Sequence, residues 1–306
     1  MTEQRLDRIS SALVENCRVV EAEIVGQTDA VVADWWAKKN AFRHAFTAQS
    51  LLRAASAHSD RPLRILNLSG LSCGHQDFSI CAYLRAQGLS FEWLAVEHPA
   101  SPHLANSVFK DLVQRNAIQI LLLDLGEAQA GPLRELAGEA DVVLFTEIAE
   151  HLEHRQFLKS LDLVTSVLRP EGTLILTTPN VDQLRFRLRH LLALEVDHWG
   201  DGHANMEAGI FGHITYYGVP RLRRLLADCG LAIHTARTVD FPYPDPNAGT
   251  AARIRHALRL RLVRGAIAAG EAAWRWPAIQ GTLKTLGELT VIEARLSVRR
   301  PVPFAL

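Results

Sequence analysis

The chain has 306 residues, 48% of them hydrophobic and 22% charged, with 33 basic and 33 acidic side chains giving a formal net charge of +0. This is the composition of a folded globular protein and excludes disordered, collagen-like and coiled-coil chains. The balanced charge supplies no whole-molecule field for gathering nucleic acid, so no nucleic-acid partner is expected. No apolar run approaches the roughly 18 residues of a spanning helix, and the opening MTEQRLDRISS is too polar for a secretory signal, so a cytoplasmic protein is expected. Cys17, Cys73, Cys81 and Cys229 lack CxxC spacing and read as reduced thiols.

Residues 1–60 read as an N-terminal helical extension. Up to residue 58 there is no proline and only one glycine, Gly26, while Leu6, Ile9 and Leu13, then Ile24, Val31 and Trp35, recur at helical intervals. Over 61–242 the texture changes to short apolar runs: RILNL (64–68), FEWLAV (91–96), IQILLL (118–123), DVVLF (141–145), TLILT (173–177) and LAIHTARTV (231–239). A seventh, LTVIEARLSV (289–298), lies in the closing segment 288–306. The first five suit strands buried on both faces, and the stretches between them are long enough for crossover helices. The last two alternate, carry charges and read as edge strands, antiparallel in one reading. The predicted fold is therefore α/β: a Rossmann-like, mostly parallel seven-stranded sheet with helices on both faces. Residues 243–287 begin with the turn-rich YPDPNAG and continue into an Arg-studded helix, an insertion before the final strand.

In such a sheet ligands bind beyond the carboxyl ends of the strands. The first strand runs into SGLSCG, where Gly70 and Gly74 bracket a small-residue loop whose backbone can approach a polar ligand. The second ends at Glu97 and the third at Asp124; carboxylates there can accept from a ribose diol and from an adenine amino group. Together these favour a nucleoside site. The GxGxxG fingerprint of a dinucleotide site is absent, Leu71 standing where glycine would be needed, which disfavours NAD.

After the fourth strand, TEIAEHLEH places Glu147, Glu150 and His151 at i, i+3 and i+4, on one face if the segment is helical. Such a set can hold a divalent metal with one or two further ligands, or it is an acidic helix start favoured by the dipole. Beyond the fifth strand, a Gly-rich loop over 195–218 carries Asp197, His198, Asp201, His203, His213, Tyr216 and Tyr217, and its imidazoles are candidate general bases or ligands.

As a set, ILNLSGLSCG, VEHP, LLLD, ADVVLFTEIAEHL, LRPEGTLILTTPN and GHITYYGVPRLRRLLADCGL resemble the class I S-adenosylmethionine-dependent methyltransferases over about 62–241 and 288–298. The glycine motif departs from the family's acid-x-Gly-x-Gly-x-Gly, with Asn67 for the acid and Ser69 for the first glycine. The resemblance implies that Ser69, Gly70 and Gly74 cradle the methionine portion of S-adenosylmethionine, Glu97 binds the ribose hydroxyls, and Asp124 with Leu125 lies beside adenine. Glu147-x-x-Glu150-His151 followed by His213 is similar to a metal-associated pattern of quinone-ring O-methyltransferases of ubiquinone synthesis and of small-RNA terminal ribose methyltransferases. It implies Mg, Mn or Zn on Glu147, Glu150, His151 and His213. Without a metal, His151, His198 or His213 is the expected general base.

The expected activity is methyl transfer to a hydroxyl oxygen of a small or lipid-linked acceptor. The alternative is a cofactor-binding fold that serves as a non-catalytic partner subunit. For the insertion two readings stand. Ile254, Leu258 and Leu262 form an i, i+4, i+8 stripe that either packs as a lid over the substrate pocket or, with the arginines and tryptophans of 253–276, rests on an anionic membrane surface.

Overall fold

The computed structural model describes residues 3–57, 61–70, 75–125, 133–135, 138–192, 212–272 and 285–297. Gly74 and His198 lie outside the described residues, as do Leu71, Cys73, Asp197, Asp201, His203, Trp274 and Trp276.

The fold is α/β and Rossmann-like. Its strands are β1 Leu63–Asn67, β2 Phe91–Glu97, β3 Ile118–Leu122, β4 Ala140–Thr146, β5 Leu168–Pro179, β6 Leu231–Val239 and β7 Leu289–Leu296. They form one sheet in the order β3-β2-β1-β4-β5-β7-β6. β1 pairs in parallel with both β2 and β4, β2 pairs in parallel with β3, and β6 and β7 are antiparallel. β6 occupies the edge as its alternating pattern suggests, but β7 does not. It lies between β5 and β6 with only Arg295 exposed, so the charges in its sequence mislead: Glu293 is itself buried.

By internal contacts the chain divides into two compact units, 1–144 with 166–175 and 245–247, and 145–165 with 176–244 and 248–306.

In the first unit, α1 Glu3–Val20 and α2 Ala30–Ser56 pack on each other and on α3 His75–Ala86, and α4 Ser107–Arg115 leads into β3. A turn of π-helix over Glu21–Val25 ends at Gly26, whose φ of 73° is open to glycine at little cost, and Asp29 then caps α2 by accepting from Val31 N and Val32 N. The buried stripe of α1 is Ile9, Leu13, Cys17 and Val20. That of α2 is Ala37, Ala41, Ala45, Ala48 and Leu51, not the line through Val31, which is 62% exposed. Small side chains let two helix backbones approach closely, and hydropathy periodicity underweights alanine. The stripes join one core with Ile65, Phe78, Ile80, Trp93, Ala95 and Val142, so the N-terminal helices share the core of the sheet. At the opposite end of β4 from its site-bearing terminus, buried Asp141 accepts from Arg61, Arg169 and the backbone N of Arg64. Burial alone would raise its pKa; the hydrogen bonds and nearby guanidinium charges outweigh it and hold the carboxyl below its ordinary value.

The second unit carries α6 Leu184–Leu191, α7 Val219–Asp228 and α8 Thr250–Ala272; α5 His154–Val167 precedes β5. α8 turns Val263, His256 and Arg259 inward, and Arg259 pairs with Glu288 and with Asp240. Burial, with the Glu288 charge, pushes Asp240 up to about 6 against the opposing pull of Arg259. The predicted stripe faces the other way: Ile254, Leu258 and Leu262 are 56%, 54% and 65% exposed. The stripe is therefore not packed in this structure, where ion pairs hold the inward face instead. Among the described residues no helix is long and apolar enough to cross a membrane.

Candidate active site

The carboxyl end of β1 stands where the strand order reverses between β1 and β4, the position at which open α/β sheets bind ligands. Leu68 N donates to Leu144 O, carrying the ladder one residue past β1. The chain then turns at Ser69 and at Gly70, whose φ is 77°. Ser69 N donates to Asn67 Oδ1 at 2.9 Å, while Asn67 Nδ2 donates to Asp77 Oδ1 at 2.8 Å. Trp93 Nε1 donates to the same Asp77 oxygen at 2.7 Å. The carboxylate thus fixes which way the Asn67 amide points, and the amide oxygen in turn pins the turn into the glycine loop. Burial pushes Asp77 up to about 7, opposed by the bonds from Asn67 and Trp93.

Glu97 closes β2 and is 2% exposed, and its Oε1 accepts from His98 N at 3.1 Å. Leu123 N donates to Glu97 O, so the next strand runs out beside it. Asp124 follows at a half-exposed position, with Oδ2 3.6 Å from His98 Nε2, and Leu125 is partly exposed next to it. The predicted donor-side residues Ser69, Gly70, Glu97, Asp124 and Leu125 therefore all fall at the ends of adjacent strands. A buried carboxylate beside a half-exposed one is an acceptor set that suits the hydroxyls of a ribose diol.

The second group lies wholly in the second unit. Past β4, Glu147 N donates to Thr177 O and Glu147 adopts a φ of 52°, so the strand ends in a left-handed turn. A single 3-10 turn over Ala149–His151 follows, and α5 begins only at His154. The expected helical face of Glu147, Glu150 and His151 is thus replaced by a turn, and Glu147 is drawn away to Thr177, whose Oγ1 donates to its Oε1 at 2.8 Å.

Glu150 and His151 are instead brought to His213 by backbone pairing: Ile214 N and Thr215 N both donate to Glu150 O. One ligand-type atom from each of Glu150, His151 and His213 lies within 4.8 Å of the others. Glu150 is 2% exposed and its Oε2 accepts from Thr178 Oγ1 at 2.9 Å. His151 Nδ1 is 2.8 Å from Gly212 O, and a carbonyl only accepts, so Nδ1 carries the proton and Nε2 the lone pair. Burial lowers the pKa of His151 from its ordinary value despite that hydrogen bond and the Glu147 charge, which favours the neutral ring. Its ring meets that of His213 edge-on at 4.9 Å between centroids. A neutral imidazole next to a buried carboxylate can accept a proton and stabilise the cation formed.

The family described as "methyltransferase domain" matches residues 38–236, about two thirds of the chain. The chain belongs to the class I S-adenosylmethionine-dependent methyltransferases. The match begins inside α2, in line with the packing of that helix into the core. No curated protein matches. Among solved structures, the methyltransferase is similar to the DszA carbon methyltransferase (14% identity, TM-score 0.52, 97% of this chain and 70% of that one). Magnesium protoporphyrin IX methyltransferase from Synechocystis PCC 6803 with bound S-adenosylhomocysteine gives 13% identity and a TM-score of 0.48, over 94% of this chain and 96% of that one. 1,6-Didemethyltoxoflavin-N1-methyltransferase from Burkholderia thailandensis, also with S-adenosylhomocysteine, gives 16% and 0.44, over 94% and 89%. These likenesses concern the fold.

Three polar residues of this methyltransferase escape the sequence reading: Asp77, Thr177 and Thr178. A buried acid in the first turn of the helix after the glycine loop looks like a helix-dipole residue, and two threonines ending an apolar strand look like β-formers. The polar pair interrupting LILTTPN was the available signal.

Proposed function

We propose that this methyltransferase transfers the methyl group to a hydroxyl oxygen of a small or lipid-linked acceptor, inside the cytoplasm. Bound S-adenosylmethionine supplies an activated sulfonium methyl, so the protein's remaining tasks are alignment and removal of the acceptor's proton. Ser69 and Gly70 hold the methionine end, Glu97 receives the ribose hydroxyls, and Asp124 with Leu125 borders the base. His151 takes the acceptor proton at Nε2, and Glu150 and His213 set the charge around it. The His151 imidazole, held through Nδ1 by Gly212 O and grouped with buried Glu150 and His213, is the observation that carries this reading, because a hydroxyl needs a base whereas an already neutral amine does not. The test is S-adenosylhomocysteine release with a panel of phenols, sugar hydroxyls, amines and carboxylates. Turnover with hydroxyl acceptors that His151→Ala abolishes is expected; turnover with amines alone, indifferent to His151, overturns the reading.

The 4.8 Å grouping also favours a metal-assisted variant, in which Glu150, His151 and His213 hold a divalent ion that lowers the pKa of the acceptor hydroxyl. Two imidazoles and a carboxylate suit zinc or manganese better than magnesium. Elemental analysis of protein purified without chelator, and activity before and after chelation, separates the two. A metal-free enzyme indifferent to chelator leaves the imidazoles as the base.

A further inference from the structure

Of the ten large apolar side chains exposed among the described residues, six sit on or next to two helices of the second unit: Leu188, Leu191 and Leu192 at the end of α6, and Ile254, Leu258 and Leu262 along α8. Leu191 is 80% exposed and Leu192 66%. Leu188 of the first set and Leu258 and Leu262 of the second line one open groove of about 640 Å³, together with Arg255, His256, Arg259 and Glu288.

The exposed charge along α8 is basic. α8 carries Arg253, Arg255, Arg259, Arg261 and Arg264 against a single acid, Glu271, and α6 carries three arginines and no acid. Arg259 faces inward to Asp240 and Glu288. The other four arginines of α8 are exposed. On a helical projection at 100° per residue, Arg255 and Arg261 lie on the two shoulders of the Ile254-Leu258-Leu262 stripe, with Arg264 and Arg253 further round on the Arg261 side.

We propose that this face docks the protein on the surface of an anionic lipid bilayer, with the six aliphatic side chains entering the headgroup–acyl boundary and the flanking arginines meeting the phosphates. Arginine stems reach past an apolar stripe to place their charge at headgroup level, which is the arrangement an interfacial helix requires. Charge complementarity selects the lipid over a second copy of this chain. Two copies meeting through this face would bring the exposed arginines of α8 against one another, while Glu288, the acid that lines the groove, is already paired with Arg259. The inference goes beyond the hydroxyl-transfer reading and does not depend on it.

Co-sedimentation with vesicles of phosphatidylcholine alone, or containing phosphatidylserine, at low and moderate salt is the test. Two variants accompany the native chain: Leu191→Ser with Leu258→Ser and Leu262→Ser, and Arg253→Gln with Arg255→Gln, Arg261→Gln and Arg264→Gln. Thermal melting and S-adenosylhomocysteine titration of each variant establish that it remains folded. The native protein is expected to pellet with anionic vesicles and not with neutral ones. Raising the salt should weaken binding as the Debye length shrinks, and each variant should bind on the order of tenfold or more weakly. A native protein that stays in the supernatant with anionic vesicles at low salt overturns the proposal. So does binding that both folded variants retain, which would place the contact elsewhere. A native dimer in sedimentation velocity that the serine variant dissociates, without vesicle binding, assigns the face to a second copy instead.

Discussion

Glu97 and Glu150 are both 2% exposed and both follow parallel strands, yet their surroundings assign them different chemistry. Glu97 ends β2 and accepts from a backbone amide, with half-exposed Asp124 at the neighbouring strand end: an acceptor surface for neutral hydroxyls. Glu150 lies in a turn past β4, with a threonine hydroxyl on one oxygen and two imidazoles in reach, an arrangement with the chemistry to move a proton or hold a cation. Burial of a carboxylate alone identifies neither role; the identity of the neighbouring donors does.

If the roles are separate, substitutions should separate binding from turnover. The largest effect is expected for His151→Ala, with kcat down about 10²–10⁴-fold at saturating donor and S-adenosylhomocysteine affinity unchanged, by steady-state kinetics and calorimetry. Because His151 titrates below 6.5, the native rate should be flat near neutrality and fall on acidification below that value, a limb absent in the variant. Equal losses in affinity and turnover would break the comparison.

Glu97→Ala should act the other way, weakening S-adenosylhomocysteine by about 2–4 kcal/mol through the loss of two charge-assisted hydrogen bonds. Turnover at saturating donor should be largely retained, and Glu97→Gln should fall between.

Asp77 offers a third test. Its pKa of about 7 lies above the ordinary carboxyl value, so the folded state holds this proton more tightly than the unfolded one. Stability from this group is present below about pH 4 and is lost as pH rises towards 7, by on the order of 1–3 kcal/mol. Asp77→Asn should flatten that decline in urea titrations at pH 5, 6 and 8. The ionised form is the better acceptor for Asn67, so donor affinity in the native protein should improve over the same range, a dependence that the variant also loses.

The smallest effect is expected for Thr178→Val, which removes the hydroxyl bonded to Glu150 and should lower turnover by roughly fivefold, about 1 kcal/mol. Thr177→Val, which loses only the bond to Glu147, should change turnover less. If the two reverse, Glu147 and not Glu150 is the working carboxylate.

Much of this was legible because parallel strands place their ends, and whatever acid follows them, at one edge of the sheet. Glu97 and Asp124 are found by counting to the end of an apolar run. The cluster was legible only in its members. Spacing grouped Glu147 with Glu150 and His151 on a helix that does not form there, since Glu147 takes a left-handed turn towards Thr177. His213 joins through backbone bonds between segments about 60 residues apart, a pairing that no local pattern encodes.

The sequence by itself determined the order of elements, the family, and the acids at the strand ends, since each follows from local periodicity and short motifs. Tertiary structure decided which apolar stripes are covered. The stripe of α1 meets a row of alanines on α2 and is buried, while the equally regular stripe of α8 faces outward and Asp240 and Glu288 hold Arg259 beside it, on the adjoining inward face. Periodicity records that a helix has an apolar face; only the long-range partners of its other faces fix where that face points.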